Sequence, residues 1–300
     1  MIVGYLINKF RGDLSLFDDG LRAIEQFTGW CSFGVVSWME EATKLPAEDS
    51  VALERLSGFA RGKLKIAVPV LDRISNFDDL DALAAEDDVH LQFCKSGEAL
   101  PADADVLIIP GSKSTIGDLA KIRENGWDQQ IQAHVDRGRQ IIGICGGYQL
   151  LGRSVSDPNG IEGAPTTVKG LGLLDVETVM QPEKRLRTVL AQSTLFDAPL
   201  TGYEIHIGET TGPDCARPTS VINGHPDGAV SSDGLVQGTY LHGYFDNGTF
   251  RQKWLRSLGV YSNDQDQIDR VSQTLDEMAA KLEVMVDIDG MLAAARSFDR

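Results

Sequence analysis

The sequence has no apolar run near the ~18 residues that span a bilayer, no surplus of basic residues and no clustered cysteines. Its opening Met1 to Leu6 stretch is broken by Asn8, Lys9 and Arg11 before a secretion-signal core could form, which predicts a cytoplasmic chain. Lys and Arg number 28 against 44 Asp and Glu, a formal charge of −16 spread along the chain. Affinity for phosphate depends on clustered cations, so nucleic acid and anionic membrane are not expected as partners. Cys31, Cys94, Cys145 and Cys215 lie more than fifty residues apart. That spacing argues against a disulfide framework and a clustered cysteine metal site, and no metal ligands are expected. A phosphate-cradling Gly-x4-Gly-Lys-Ser/Thr loop is missing too: in Pro110-Gly111-Ser112-Lys113-Ser114-Thr115 the lysine does not follow a glycine.

What is present is globular material, 42% hydrophobic and 24% charged over 300 residues, enough for about two domains at ~150 residues each. The first sixty residues read as strand (Val3 to Ile7), loop (Asn8 to Asp13), helix to Phe27 and strand (Ser32 to Trp38). Leu45 to Asp49, a helical Ser50 to Phe59 and a linker Ala60 to Lys63 follow. A parallel strand buried on both faces needs neighbours, so this segment predicts the tail of a larger domain or a partner-dependent piece.

From Leu64 short apolar runs rich in β-branched residues (Ile66 to Val68, Val89 to Cys94, Val106 to Ile109, Ile141 to Ile144) alternate with helical segments such as Trp127 to Arg137, the pattern of a parallel sheet covered by helices. Trp127, Ile131 and Val135 form a core stripe. Residues 170 to 245 predict antiparallel strands and hairpins that continue the sheet, and Gln265 to Ala295 an amphipathic helix.

Chemistry concentrates in Gly143-Ile144-Cys145-Gly146-Gly147-Tyr148-Gln149, a Gly-x-Cys-x-Gly between a buried strand and a helix. Such an elbow strains the backbone at the nucleophile, and small residues two positions away on either side relieve the crowding. The thiol is expected to point at solvent from a helix N-terminus that favours thiolate. Cys31, Cys94 and Cys215 read as buried small hydrophobes. Of five histidines, His90, His134 and His225 have bland structural explanations. His242 ends the strand-like Val236 to Leu241, where it can face an elbow on a neighbouring strand. His206 shares a strand face with Glu204 by the period of two; the pair reads as pocket lining or as a hydrogen-bonded structural pair. The Gly146 N–H and the loop after Val106 to Ile109 are candidate oxyanion donors.

These runs, with Asn8-Lys9-Phe10-Arg11-Gly12-Asp13, Leu45-Pro46-Ala47-Glu48-Asp49, Gly202-Tyr203-Glu204-Ile205-His206-Ile207-Gly208 and Tyr240-Leu241-His242-Gly243, resemble the C-terminal part of the cobyric acid synthase family, glutamine-dependent amidotransferases of cobalamin biosynthesis. The matches span nearly the whole chain in the family's order.

The resemblance implies an α/β chain: a class I glutamine amidotransferase (flavodoxin-like) domain over 64–260, its mostly parallel sheet carrying helices on both faces. An incomplete P-loop-type synthetase remnant over 1–60, the tail of a dethiobiotin-synthetase-like nucleotide domain, precedes it, and a helical extension over 261–300 follows. It implies Cys145 as nucleophile and His242 as base, with Gly111, Ser112, Gly146, Tyr148 and Gln149 around the oxyanion and glutamine. Many class I relatives complete a triad with a glutamate two residues after the histidine; position 244 here is Tyr, leaving Glu204 and Asp246 as candidates to orient His242. The glutaminase part is expected to bind no cofactor. ATP and Mg²⁺ are expected in a missing synthetase half, in cis or in trans, acting on adenosylcobyrinic acid a,c-diamide. Cobyrinic acid a,c-diamide synthase and a cell-wall lipid amidating glutaminase share the chemistry, so another acceptor is the alternative, as is a non-catalytic glutamine-binding or assembly module.

Overall fold

The computed structural model describes residues 2–46, 62–182 and 185–297. They fall into two compact units, one of residues 1–46 with 268–300 and one of residues 47–267. Ala47 to Asp49 of the Leu45 to Asp49 run, the expected helix Ser50 to Phe59 and the Ala60 and Arg61 part of the linker lie outside the described residues.

The first unit opens with β1 (Gly4–Phe10), α1 (Asp18–Thr28) and β2 (Cys31–Ser37). β1 and β2 pair in parallel as a two-stranded sheet. Gly29, at φ 69°, closes α1 with its N–H on the Glu25 carbonyl, a left-handed cap that a side chain would strain. Cys31 is exposed rather than buried, because it begins a strand of a sheet too small to cover it. Among the described residues only Val35 and Val36 of this unit are buried apolar side chains, whereas twelve of the fifteen exposed large hydrophobics, Leu16, Phe27 and Val284 among them, belong to it.

The second unit alternates β3 (Leu64–Pro69), β4 (Ile74–Ser75), α2 (Asp81–Ala84), β5 (Val89–Cys94), β6 (Val106–Ile109), β7 (Gly111–Ser112), α3 (Thr115–Glu124), α4 (Trp127–Asp136), β8 (Gln140–Ile144) and α5 (Gly146–Leu151). Strands β9 (Ser154–Asp157), β10 (Thr166–Lys169), β11 (Glu177–Val179), β12 (Arg185–Ser193), β13 (Pro199–His206), β14 (Glu209–Thr211), β15 (Ser220–Ile222) and β16 (His225–Asp227) come next. β17 (Ala229–Val230), β18 (Val236–Thr239), β19 (Leu241–His242) and α6 (Gly248–Ser257) complete it.

Its six-stranded sheet has the order β17-β18-β8-β6-β3-β5, parallel except for β17. Counting the parallel strands along the chain gives 2-1-3-4-5, the flavodoxin-like order, in which right-handed crossovers place helices on both faces. Ile66, Val68, Val106, Ile108, Ile141 and Ile142 are fully buried, as strands covered on two sides require. Residues 170 to 245 do not simply continue this sheet. They supply two strands, β11 and β14, of a four-stranded sheet, β10-β9-β11-β14, and all of a five-stranded antiparallel sheet, β16-β15-β12-β13-β19. The change happens at Tyr240: β18 runs beside β8 up to Thr239, and β19 then pairs with β13, His242 opposite Tyr203.

The C-terminal segment is two helices, α7 (Gln267–Met285) and α8 (Ile288–Ser297), not one. Between them Val286 bridges to Gly34 and the Asp287 N–H donates to the Phe33 carbonyl (2.7 Å), so backbone that would extend a helix is spent on the β2 edge. Gly34 sits at φ 131°, and a Cβ there would lie 2.1 Å from the Met285 carbonyl oxygen. Gly34→Ala is therefore expected to cost about 1–3 kcal/mol in this unit. Amide exchange at Asp287 should accelerate while exchange along β8 stays unchanged; unchanged protection at Asp287 would refute the contact.

Candidate active site

The carboxyl ends of β3, β6, β8 and β18 meet where open α/β sheets bind ligands. Cys145 joins β8 to α5 at φ 53°, ψ −109°, a conformation that a non-glycine residue adopts only when its surroundings enforce it. Two things enforce it here. The Cys145 N–H donates to the Thr239 carbonyl (2.8 Å), and Gly147 lies so close to β6 that a Cβ would stand 2.0 Å from the Ile109 oxygen. The thiol does not project freely into solvent: Cys145 is 8% exposed, because β13 passes over it and the Ile205 carbonyl accepts from Sγ at 3.4 Å.

His242 is fully buried and faces the same space. Its Nδ1 pairs with Asp79 Oδ2 at 2.7 Å, and the other Asp79 oxygen accepts from the Gly243 N–H, also at 2.7 Å. Neither Glu204 nor Asp246 orients the ring. Glu204 lies 4.0 Å from His206, and Asp246 sits against Gly243. Tyr203 stacks on the imidazole (5.0 Å between centroids, 14°), and Asn76 donates to the Tyr203 hydroxyl at 2.6 Å. With Nδ1 engaged, Nε2 remains, buried and left to the Cys145 sulfur, the other group that acts on the ring. Burial works against the charged ring, but the Asp79 carboxylate and the Cys145 sulfur outweigh it and raise His242 from 6.5 to about 10. Behind the pair, burial and mutual repulsion with Asp78 and Asp79 push Asp81 and Asp246 up to about 7.

The Gly111–Ser112 strand β7 pairs antiparallel with β4, and the Ser112 hydroxyl donates to Asp118 (2.5 Å). A Cβ on Gly146 would meet Ser112 N at 2.8 Å and one on Gly111 would meet His242 Cε1 at 3.4 Å, so Gly111, Ser112, Gly146 and the imidazole border one small space. Gln149 lies beside it: Thr115 Oγ1 donates to its Oε1 (2.9 Å), and its Nε2 donates to the Ile207 carbonyl (3.0 Å) and the Tyr240 hydroxyl (3.1 Å). His206 stacks on Tyr240 at 3.9 Å, with Nδ1 against the Gly208 carbonyl. Tyr148 turns away. It packs on Gly238, and its hydroxyl meets the Cys215 sulfur at 3.7 Å. Of the remaining histidines, His134 is buried against the Gln140 carbonyl and His225 is exposed.

Residues 65–250 match the family described as the CobB/CobQ-like glutamine amidotransferase domain. The chain belongs to this family. Among curated relatives it is 58% identical over 296 residues to a cobyric acid synthase of Mesorhizobium japonicum, covering 99% of this chain and 60% of that protein. With a cobyric acid synthase of Rhizobium etli identity is 60% over 287 residues, 96% of this chain and 59% of that one. The chain thus spans about three fifths of the length of these relatives. A solved structure described as PurLQS from Thermotoga maritima covers 71% of this chain and 99% of its own at a TM-score of 0.48 and 15% identity.

In this amidotransferase the motif histidine and cysteine were readable in the sequence, and Asp79 was not. It stands in Asn76-Phe77-Asp78-Asp79-Leu80-Asp81, which looks like a solvated acidic turn. The available signal was its place after the first strand of the parallel sheet, at the end where β8 and β18 also finish.

Proposed function

We propose that this chain carries the glutamine-hydrolysing part of a cobyric acid synthase, with Cys145 as nucleophile and His242 as its acid–base partner. The observation that carries the reading is a strained elbow cysteine beside an imidazole whose far nitrogen is held by a buried carboxylate. A ring so basic can take a thiol proton at neutral pH, leaving sulfur to attack the glutamine carboxamide carbon. The carbonyl oxygen becomes an oxyanion facing the backbone N–H groups of Gly146 and of the Gly111–Ser112 strand. Collapse breaks the C–N bond as His242 protonates the nitrogen, releasing ammonia and leaving a γ-glutamyl thioester. His242 then takes a proton from water, which cleaves the thioester to glutamate and free Cys145. Gln149, with Glu204 and His206 near it, lines the glutamine pocket in this reading.

Ammonia serves an acceptor carboxylate activated with ATP and Mg²⁺, and the family resemblance in the sequence implies adenosylcobyrinic acid a,c-diamide as that acceptor. These residues do not fit a nucleotide–metal site: no Gly-x4-Gly-Lys-Ser/Thr occurs in the sequence, and among the described residues no group of three or more His, Cys, Asp or Glu could hold a metal. No helix among the described residues is long and apolar enough to cross a membrane. The nucleotide chemistry is assigned to the two fifths of the relatives outside the match. The apolar exposure of residues 1–46 with 268–297, and a β1 paired on one edge alone among the described residues, support reading residues 1–60 as the tail of that synthetase domain.

The 300-residue chain supplied with glutamine is expected to release glutamate. With ATP, Mg²⁺ and the corrinoid acceptor it should form no amide until a synthetase half is added in cis or in trans. Acceptor amidation by the chain alone would overturn the division of labour, and absence of glutamate release in both settings would overturn the glutaminase reading.

A further inference from the structure

Asp227 ends β16, far from Cys145 in sequence and outside every motif that points to the site, yet it is 7% exposed and both carboxylate oxygens are engaged. Oδ2 accepts from the hydroxyls of Thr239 (2.6 Å) and Ser220 (3.4 Å), and Oδ1 accepts from the Tyr240 N–H (3.2 Å). These bonds grip the residues at which the chain leaves the parallel sheet and enters the antiparallel one. Those residues reach the site on three sides. The Thr239 carbonyl accepts from Cys145 N–H, and Thr239 Oγ1 accepts from Leu241 N–H (3.0 Å), one residue before His242. The Tyr240 hydroxyl accepts from Gln149 and bonds Thr210 Oγ1 (2.6 Å).

We propose that Asp227 is a positioning residue for glutamine hydrolysis: its buried carboxylate fixes the Thr239–Tyr240 crossing and thereby the relative placement of Cys145, Gln149 and His242. The proposal rests on the glutaminase reading given above. A buried carboxylate is an expensive choice, and burial raises this one to about 6 against the pull of its hydrogen bonds. The donors around it explain the choice. The Tyr240 N–H can only donate, and the Thr239 hydroxyl already accepts from Leu241, so both present protons that need an acceptor. An asparagine has one acceptor oxygen; turned to Tyr240, it leaves the Thr239 proton facing an N–H2 group.

The test uses the whole chain, with glutamate release at varied glutamine and the rate of Cys145 labelling by the glutamine-analogue electrophile diazo-oxo-norleucine. Both are read well below each variant's Tm. Asp227→Asn is expected to lower kcat and the labelling rate between about 10-fold and 100-fold, with a smaller change in KM, as misplacement of reacting groups predicts. Thr239→Val should act in the same direction, and the double variant should be no worse than the poorer single one. A folded Asp227→Asn chain with kcat and labelling within twofold of the parent overturns the proposal, even if its Tm falls. Should Asp227→Asn not fold, Thr239→Val decides, and parental kcat there overturns the proposal equally. No labelling of Cys145 in the parent chain would overturn the glutaminase reading itself and the proposal with it.

Discussion

Cys145→Ala is expected to abolish glutamate release, a loss of about 10⁴-fold or more, since removing the nucleophile removes the covalent route altogether. Cys145→Ser should do nearly as badly, because a hydroxyl gives up its proton far less readily than a thiol and the elbow offers it no stronger base than His242. The chain holds three other thiols, and each has a reason to stay silent. Cys94 is buried, and that burial pushes its thiol up to about 11. Cys215 is half-buried against the Tyr148 hydroxyl and the Thr210 carbonyl. Cys31 is exposed at the start of β2 rather than at a strand-to-helix elbow. Peptide mapping after diazo-oxo-norleucine treatment should therefore place the adduct on Cys145, and Cys145→Ala should take up none. An adduct on Cys31 in preference to Cys145 would show that reactivity follows exposure alone and would remove the nucleophile from the elbow.

The parallel sheet was legible because its central strands are buried on both faces and read as apolar runs rich in β-branched residues, while the edge strand alternates, with His90 and Gln92 half-buried between apolar neighbours. Val89–Cys94 and Val106–Ile109 have the expected ends, and Ile141 to Ile144 gains only Gln140. The second and third sheets were less legible. Strands such as Glu177–Val179 and Glu209–Thr211 are three residues long, and their pairing is set by distant partners that no local period reveals. The break at Val286–Asp287 failed to show for a related reason: apolar spacing runs through it, and the backbone bonds to Phe33 and Gly34 end one helix while the Asp287 carboxylate, accepting from the Gly290 N–H, starts the next. The elbow cysteine was expected to be open to solvent because its own turn projects it outward. What roofs it is Ile205, sixty residues further along, on a strand whose crossing depends on the sheet switch at Tyr240.

Asp79→Asn is expected to lower kcat by about 10²-fold to 10⁴-fold while leaving the fold in place, and the reason lies in which atoms can face each other. Asp79 accepts two hydrogen bonds, one from the Gly243 N–H and one from His242 Nδ1. Asparagine has one oxygen, and the Gly243 N–H can only donate, so that oxygen stays with Gly243 and the N–H2 group turns to the ring. His242 Nδ1 must then accept, which moves the ring proton to Nε2, the nitrogen that has to receive the proton from Cys145 sulfur. Asp79→Glu keeps both acceptors and should retain more activity than Asp79→Asn if the longer arm can reach. Stability should follow pH in a defined sense. The paired ring keeps its proton in the folded chain up to about 10 instead of 6.5, so the pairing stabilises the fold fully below the lower value and less and less as pH rises through the upper one. The stability deficit of Asp79→Asn is accordingly expected to be largest on the acid side of that window and to shrink on the alkaline side. A deficit that grows with pH instead, or an Asp79→Asn chain with parental kcat, would show that the carboxylate does not hold the proton on His242. The ring would then have to be oriented by its stack on Tyr203 alone.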